Sequence, residues 1–432
     1  MSPTEVGFLG IVVLLILLLT RMHIGVAMGL VGFSGFAYVA GWEPALGVLR
    51  TVPYTTFASD SLSVIPLFIL MGSFAFMSGM SEDLYLAVHT IFGNLRGGLA
   101  MATVAACACF AAISGSSLAT AATLGKVAMP EMRKYKYDDA LATGAIAAGG
   151  CIGILIPPSV ILLIYGILTE QSIGKLFMAG MIPGVLQAVV YIATIWLIVR
   201  RNPALGPPGP QANPKEKFVS FLRTWDVIAL FVMVIGGLYM GIFTPTEAAG
   251  VGAFGAFCFA IVRGKMNWLN FKTSLASTVS TTGMLFIIVL GAMILGYFFS
   301  VTRLPVEFAT YVSSLPVNRY VVLLFIILVY LILGCLMDSL AIVLLTVPVF
   351  FPLILKLQFD PIWFGIIVTK VTEMGMISPP VGMNVYVIHG ITKVPMPTIF
   401  RGVLPFLVSD VLQIILLVAI PEISLFLPNM MS

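Results

Sequence analysis

Two pairs of motifs combine serine hydroxyls with prolines that interrupt a helix. The first pair is Ser114-Gly115-Ser116-Ser117 and Gly153 with Pro157-Pro158. The second pair is Asp338-Ser339 and Gly375 with Pro379-Pro380. A proline removes a backbone N–H and disfavours helical conformation in the residue before it. Each Pro-Pro motif is therefore predicted to break a helix and to leave backbone carbonyls without helical partners.

Serine hydroxyls and free carbonyls are hard oxygen donors, which suit a dehydrated Na⁺. Unsatisfied backbone groups are costly in hydrocarbon unless a ligand or cavity water completes them. We expect each serine motif and its own Pro-Pro break to form one cation site, two sites in all. The alternative interpretation is a pair of structural kinks that bind no ligand.

Three charged side chains belong to the second pair of motifs. Asp338 is either a cation ligand or the N-cap of the helix that follows it, and the two roles are compatible. Glu373 and Lys370 stand three residues apart on one helix, so they either neutralise each other or take part in ion coupling. By contrast, the motif that begins at Thr244 has the pattern of a helix N-terminus and is predicted to be a cap.

The elements that position these residues are predicted to be membrane helices. Of the 432 residues, 60% are hydrophobic and 9% are charged, whereas soluble domains contain about 25% charged residues. Apolar segments long enough to span a bilayer recur along the chain. The predicted helices cover 6–20, 24–41, 61–79, 138–168, 175–200, 225–243, 246–263, 275–300, 362–392 and 397–427. Residues 82–95 are predicted to form a connector along the membrane interface.

Two further stretches, 98–134 and 320–357, consist of two short apolar arms around a polar tip. An arm of about 15 residues rises only about 22 Å, less than the roughly 30 Å hydrocarbon core. We therefore predict re-entrant hairpins; the alternative is a pair of tight spanning helices.

The chain contains an internal repeat. Residues of the two halves correspond at an offset of 222 positions: Ser117 corresponds to Ser339, Gly153 to Gly375 and Pro157 to Pro379. Such repeats are typical of secondary transporters. We predict a first repeat over 1–200 (hairpin 98–134, broken helix 138–168), a cytoplasmic linker over 201–223, and a second repeat over 224–432 (hairpin 320–357, broken helix 362–392). Five crossings per repeat, with hairpins not counted, invert the second copy.

The basic residues support this topology. With the N-terminus outside, 15 Lys and Arg fall on the inner side, Arg21 among them, and 5 on the outer side, as the positive-inside rule requires. Both termini are then periplasmic. The five cysteines and three histidines form no metal pattern, and the chain has no P-loop or nucleophile–base pair, so no enzymatic activity is expected.

These motifs resemble those of the large membrane (M) subunit of the tripartite ATP-independent periplasmic (TRAP) transporters. The resemblance rests on Ile113 to Ser117, Gly153 to Ser159, Thr244 to Ala249 and Glu373 to Asn384, in family order over most of the chain. It implies an all-α polytopic membrane protein with an inverted-repeat elevator fold, two re-entrant hairpins and two broken helices.

The resemblance also implies Na⁺-coupled import of an organic acid across a bacterial or archaeal cytoplasmic (inner) membrane, with C4-dicarboxylates or sialic acid as examples. The partners implied are a periplasmic substrate-binding protein (P subunit), a small Q subunit expected as a separate chain, and the lipid bilayer; no nucleic acid is expected. The alternative is a stand-alone dicarboxylate/Na⁺ symporter or ion exchanger of the same superfamily.

Residue by residue, the resemblance implies two or more Na⁺ sites. One Na⁺ would be held by Ser114, Ser116, Ser117 and Gly153 with Pro157, and another by Asp338, Ser339 and Gly375 with Pro379. Substrate contacts are expected from Ser159, Ser378, Gly382 and Asn384.

Overall fold

The fold is built from helices that follow the apolar segments of the sequence. The computed structural model describes residues 1–20, 22–209 and 212–431. Arg21 therefore lies outside the described residues, as do Pro210 and Gln211 of the predicted linker. The first half contains α1 (Pro3–Leu19), α2 (Ile24–Ala40), α3 (Trp42–Phe57), α4 (Val64–Met77), α5 (Met80–Phe92), α6 (Gly98–Ser114), α7 (Ser117–Lys134), α8 (Asp139–Cys151), α9 (Val160–Thr169) and α10 (Ile173–Arg201), followed by α11 (Pro214–Leu222).

The second half contains the counterparts of these helices. They are α12 (Trp225–Phe231), α13 (Gly237–Tyr239), α14 (Pro245–Val262), α15 (Trp268–Thr302), α16 (Leu304–Ser314), α17 (Arg319–Gly334), α18 (Ser339–Lys356), α19 (Pro361–Gly375), α20 (Met383–Thr392), α21 (Met396–Ala419) and α22 (Glu422–Met430). A π-helical turn at Val232–Gly236 joins α12 to α13. Among the described residues, six helices are long and apolar enough to span a bilayer, or seven if α11 to α13 form one bent span.

Four sequence predictions of element bounds are wrong. Helices α3 and α16 were not predicted, because charged residues and prolines interrupt their apolar runs. The predicted linker contains α11, which begins with a capping box between Asn213 and Glu216 and has Pro214 at its first position. The predicted helix 397–427 is divided into α21 and α22 at Ile420 and Pro421.

Helix bounds recur at the spacing of the sequence repeat. Helix α7 begins and ends 222 residues before α18, and the broken pair α8–α9 corresponds to α19–α20. The two copies interleave, because α9 packs against α18 while α20 packs against α7. One difference is that the single 35-residue helix α15 stands where the first half has α3 and α4.

Contacts between helix ends define two opposite faces. At the linker face, Gly97 N donates to Gly206 O at 2.8 Å and Asp138 N donates to Leu205 O at 3.0 Å. At the terminal face, Thr4 lies beside Thr302 and Glu307, and Tyr165 OH donates to Pro361 O at 2.6 Å. Helices α6 and α7 (hairpin 1) have their outer ends at the linker face, whereas α17 and α18 (hairpin 2) have theirs at the terminal face.

Candidate functional site

Hairpin 1 turns at the predicted serine motif. Helix α6 ends at Ser114, and Gly115 takes a left-handed conformation (φ 59°) that favours glycine. The Ser116 hydroxyl then accepts a hydrogen bond from Ala119 N at 3.3 Å and caps α7. The turn therefore leaves the Ser114 and Ser116 carbonyl and hydroxyl oxygens at the end of two short helices.

This tip lies against the break in its own half, residues 152–159 (break 1). A Cβ atom added to Gly115 would lie 2.8 Å from Pro158 O, so a larger residue would separate tip and break. A Cβ at Gly153 would lie 3.5 Å from Ser116 O and 3.3 Å from Thr120 Oγ1. The structure thus brings Ser114, Ser116, Gly153 and the Pro157-Pro158 segment together, as the sequence predicted.

Thr120 is a site residue that the sequence analysis missed. Its hydroxyl bonds Ser114 Oγ at 2.8 Å and donates to Ser116 O at 2.8 Å, and the side chain is fully buried. The sequence could have indicated Thr120, because it stands four residues after Ser116 and therefore lies on the same face of α7 as the tip. The counterpart in hairpin 2 is Ile342, so this hydroxyl is present in one copy only.

Hairpin 2 has the same design with a carboxylate at the turn. Asp338 Oδ1 accepts hydrogen bonds from Leu340 N and Ala341 N, both at 3.0 Å, which confirms the N-cap prediction. The other carboxylate oxygen takes no part in these two bonds. Cys335 Sγ donates to Pro379 O at 3.4 Å, so this tip lies against residues 376–382 (break 2). Gly375 is in backbone contact with Gly334, since a Cβ on Gly375 would lie 2.5 Å from Gly334 Cα.

The two copies meet at repeat-related residues. Cys151 Sγ donates to Glu373 O at 3.4 Å, and these residues are 222 positions apart. Ser339 Oγ lies 2.7 Å from Glu373 Oε1 and 2.7 Å from Met376 Sδ, while Ser117 Oγ lies 3.7 Å from the same sulfur. The hydroxyls of the two repeats therefore converge on a cluster that we call the axial cluster: Ser117, Cys151, Ser339, Glu373 and Met376.

Of the two roles predicted for Glu373 and Lys370, the structure contradicts mutual neutralisation, and ion coupling stays a prediction. Lys370 Nζ instead bonds Asp410 Oδ1 of α21 at 2.5 Å, and both side chains are 1% exposed. Tyr191 OH donates to the same oxygen at 2.7 Å. Glu373 receives the Ser339 hydroxyl on Oε1, and its Oε2 is buried without a partner. Asp410 was missed, although a single carboxylate in the apolar run of α21 was a sufficient signal.

The four residues predicted to contact substrate have different local environments, and substrate contact stays a prediction for each. Ser159 caps α9 by accepting from Leu162 N at 3.2 Å, and Ser378 Oγ donates to Met374 O at 2.7 Å. Gly382 takes a left-handed conformation (φ 62°) where α20 begins. Asn384 Nδ2 donates to Ala147 O at 3.3 Å and contacts Cys151 Sγ at 3.2 Å, which leaves its buried Oδ1 without a partner. The two serines therefore serve local backbone, and Asn384 joins the two broken helices.

The two breaks differ in exposure. Residues 151–159 are all buried, whereas Pro379 and Pro380 are exposed. On hairpin 1, α7 presents Ala119, Lys126 and Pro130 to the surroundings, although the lipid-type surface of α17 is made of residues such as Phe325 and Ile332. A charged residue within a membrane helix is a costly lipid contact, so the exposed Lys126 favours a polar environment for this side of α7.

A family model described as "Tripartite ATP-independent periplasmic transporter, DctM component" matches residues 11–423. The chain belongs to this family. The match is to the large permease subunit, which confirms the resemblance inferred from the motifs and the prediction of an all-α membrane transporter.

Curated relatives cover most of the chain. A C4-dicarboxylate TRAP transporter large permease protein of Pseudomonas aeruginosa is 36% identical over 402 residues, which is 92% of this chain and 93% of the relative. A sialic acid TRAP transporter large permease protein of Vibrio cholerae is 34% identical over 86% of each chain. An isethionate TRAP transporter permease protein DctMQ of Oleidesulfovibrio alaskensis is 31% identical over 95% of this chain and 64% of the relative.

Solved structures with a similar fold are membrane transporters of low sequence identity. Neisseria gonorrhoeae MtrF superposes with a TM-score of 0.61 at 13% identity and covers 89% of this chain and 85% of that one. The Alcanivorax borkumensis YdaH transporter gives 0.59 at 16% identity, covering 89% and 88%. At these identities the likeness establishes the fold alone.

Proposed function

We propose that this large permease imports a carboxylate-bearing solute by coupling it to an inward Na⁺ gradient. The observation that carries the proposal is the paired arrangement of each hairpin tip against the break of its own half. Both tips offer hydroxyl or carboxylate oxygens beside carbonyls that the breaks release from helical bonding. This donor set suits a hard monovalent cation, so Na⁺ is proposed as a co-transported substrate at two sites.

The residues proposed for these sites are those that the tips and breaks bring together. They are Ser114, Ser116, Ser117, Thr120 and Gly153 for one ion, and Asp338, Ser339 and Gly375 for the other. One carboxyl oxygen of Asp338 caps α18, and the second oxygen is available to coordinate a cation. The carboxyl group lies at the N-terminal end of α18, where the helix dipole favours an acidic side chain.

The linker face is proposed to be cytoplasmic, which places both termini in the periplasm. Helix ends and turns at this face carry most of the basic residues, as the positive-inside rule requires. They include Arg133, Lys134, Lys136, Arg200, Arg201, Lys215, Lys217, Arg263 and Lys265. The exposed small and basic residues of α7 then form a path from the first tip to the cytoplasm.

Import is proposed to follow an elevator motion. The hairpins and broken helices would move together as a unit against the remaining helices, because α9 with α18 and α20 with α7 interleave the two halves. Cations bound at both tips would be coordinated by oxygens of the tip and of the break. Each tip would then be held against its break, so that the unit moves as one body. The proposed partners are a periplasmic binding protein that delivers the solute and a small Q subunit, which some relatives carry fused to the permease.

The test is solute uptake into proteoliposomes that contain the permease with its Q subunit and binding protein. Uptake should require an inward Na⁺ gradient, and uptake that persists after this gradient is dissipated would refute the coupling. Uptake without any binding protein would instead favour the stand-alone symporter. Because Asp338 has an acidic side chain and Ser116 does not, Asp338→Ser should weaken the Na⁺ dependence more than Ser116→Ala.

A further inference from the structure

The axial cluster contains more hydrogen-bond partners than its hydroxyls can serve at once. A serine hydroxyl has one hydrogen to donate. Ser339 Oγ nevertheless lies within reach of two acceptors, Glu373 Oε1 and Met376 Sδ, each at 2.7 Å. Ser117 Oγ, from the other repeat, lies 3.7 Å from Met376 Sδ, and its hydroxyl is also within hydrogen-bonding reach of the Glu373 carboxyl group. The two serines therefore compete for the sulfur.

Cation binding decides this competition. A hydroxyl that binds a cation does so through its oxygen lone pairs, so its hydrogen must point away from the ion. For Ser339 the stronger acceptor is the Glu373 carboxyl oxygen, since a thioether sulfur is only a weak hydrogen-bond acceptor. Once the Ser339 hydrogen is held by Glu373, Met376 Sδ is free to accept the hydrogen of Ser117.

We propose that Glu373 and Met376 couple the two cation sites, so that an ion bound at one hairpin tip prepares the serine of the other tip. The inference rests on the proposed Na⁺ coupling and assigns two positioning residues to it. Glu373 acts on both sites, because its carboxyl group is within hydrogen-bonding reach of Ser339 of one tip and of Ser117 of the other. Met376 transmits the coupling, because both serines contact its sulfur.

The repeat supplies an internal comparison. The counterparts of Glu373 and Met376 in the first half are Cys151 and Ile154, neither of which is a strong acceptor. Both acceptors thus come from one copy, while the donors, Ser117 and Ser339, come one from each copy. Glu373 Oε2 is buried and has no hydrogen-bond partner in the described part of the chain.

The experiment measures the initial uptake rate against Na⁺ concentration in proteoliposomes of the complete transporter. The wild type should show a Hill coefficient approaching 2. Glu373→Gln keeps the shape of the side chain and removes its acidic group. The Na⁺ concentration for half-maximal rate should rise about tenfold or more, because a unit charge a few ångströms from a cation contributes at least this much inside a protein. The Hill coefficient should fall toward 1. Met376→Leu should lower the Hill coefficient with a smaller change in the half-maximal concentration.

The matched control is Asp360→Asn on the same helix. Asp360 caps α19 at its exposed end, and asparagine caps as well, so this variant removes one negative charge of α19 without touching the axial cluster. Its Na⁺ response should stay within about twofold of wild type. The inference is overturned if Glu373→Gln keeps the wild-type Hill coefficient and half-maximal concentration, or shifts no more than Asp360→Asn.

If Glu373→Gln does not fold, the two serines provide the test. Ser117→Ala and Ser339→Ala are compared with the double variant by the Na⁺-dependent rise in melting temperature of the purified complex, with K⁺ as reference. If the sites are coupled, the Na⁺-dependent rise in melting temperature should be reduced in the double variant by clearly less than the sum of the two single reductions. Additive reductions would overturn the inference. Absence of any Na⁺ response in the wild type would instead refute the proposed function.

Discussion

The ion pair between Lys370 and Asp410 allows the most direct test of the buried electrostatics. The pair joins α19 to α21 across 2.5 Å with both side chains 1% exposed, and the Lys370 ammonium also lies 5.7 Å from the centre of the Tyr191 ring. Asp410→Asn would leave Lys370 buried without a counter-charge. Breaking a buried pair in this way costs about 3–5 kcal/mol. At an unfolding entropy of about 2 cal/mol/K per residue, we expect the melting temperature to fall by roughly 3–6 °C.

Removing both charges should restore much of the stability. In Lys370→Met with Asp410→Asn neither member of the pair carries a charge, and replacing a whole buried pair by uncharged groups is often neutral. The double variant should therefore be more stable than Asp410→Asn alone, with a coupling energy of about 2 kcal/mol or more in the double-mutant cycle. The cycle is measured from melting temperatures of the purified protein in one detergent at one heating rate.

The control is an exposed ion pair in the same molecule. Lys134 and Glu131 are three residues apart on α7, 3.5 Å from each other, with side chains 63% and 38% exposed. Removing Glu131 should change the free energy of unfolding by less than about 0.5 kcal/mol. Equal melting temperatures for Asp410→Asn and the double variant would refute the reasoning, because charge compensation would then not be what Asp410 provides.

Three further outcomes follow from the structure. Gly115→Ala should abolish uptake, because its Cβ would lie 2.8 Å from Pro158 O at a φ of +59°, whereas Gly250→Ala, which meets no atom within 4 Å, should transport normally. Arg263→Lys at the linker face should lower the melting temperature, since lysine cannot bond Asp83, Asp226 and two carbonyls together. Burial alone would lower the pKa of Arg263, but bonding to both carboxylates outweighs this effect and raises the pKa. The contribution of Arg263 to stability should therefore be constant from pH 5 to 9. Burial lowers the pKa of His89 below its ordinary value of 6.5, so its neutral form favours the folded state; stability should fall as the pH drops below about 6.5, and His89→Gln should reduce that fall.

How far the sequence predicted the fold depends on the kind of segment. Long apolar runs located α10, α14 and the core of α15 because composition alone specifies such helices. Helices α3 and α16 were missed because they mix aromatic, hydroxyl and charged residues, a pattern that becomes helical only through packing against neighbours. The cap residues were more informative: Thr244 and Asp338 begin helices as predicted, since a cap is a local interaction that the sequence encodes directly.

The candidate site was predictable within each repeat and not between repeats. Ser114, Ser116 and Gly153 come together as expected because the hairpin and the break are close in sequence and tip and break contact through glycine. The partner of Lys370 was predicted wrongly because sequence spacing pointed to Glu373, whereas packing of α19 on α21 brings Asp410 within bonding distance. The sharing of Met376 by Ser117 and Ser339 depends on how the two halves interleave, which spacing along one helix does not reveal.

The divergence of the two repeats has a physical reason at the point where they meet. Cys151 and Glu373 occupy equivalent positions and are in contact, so a glutamate in both copies would place two carboxylates side by side in a buried site, where both cannot ionise readily. One copy can therefore carry the charge only if the other is neutral. The same division applies to Lys370 and Asp410, whose counterparts are Ala148 and Ala188. Because the second repeat supplies the acceptors for serines of both, an exchange of the two residues (Cys151→Glu with Glu373→Cys) should preserve the net charge of the axial cluster. It would also move the acceptor away from Ser339, so cooperative Na⁺ dependence should be lost even where the protein folds.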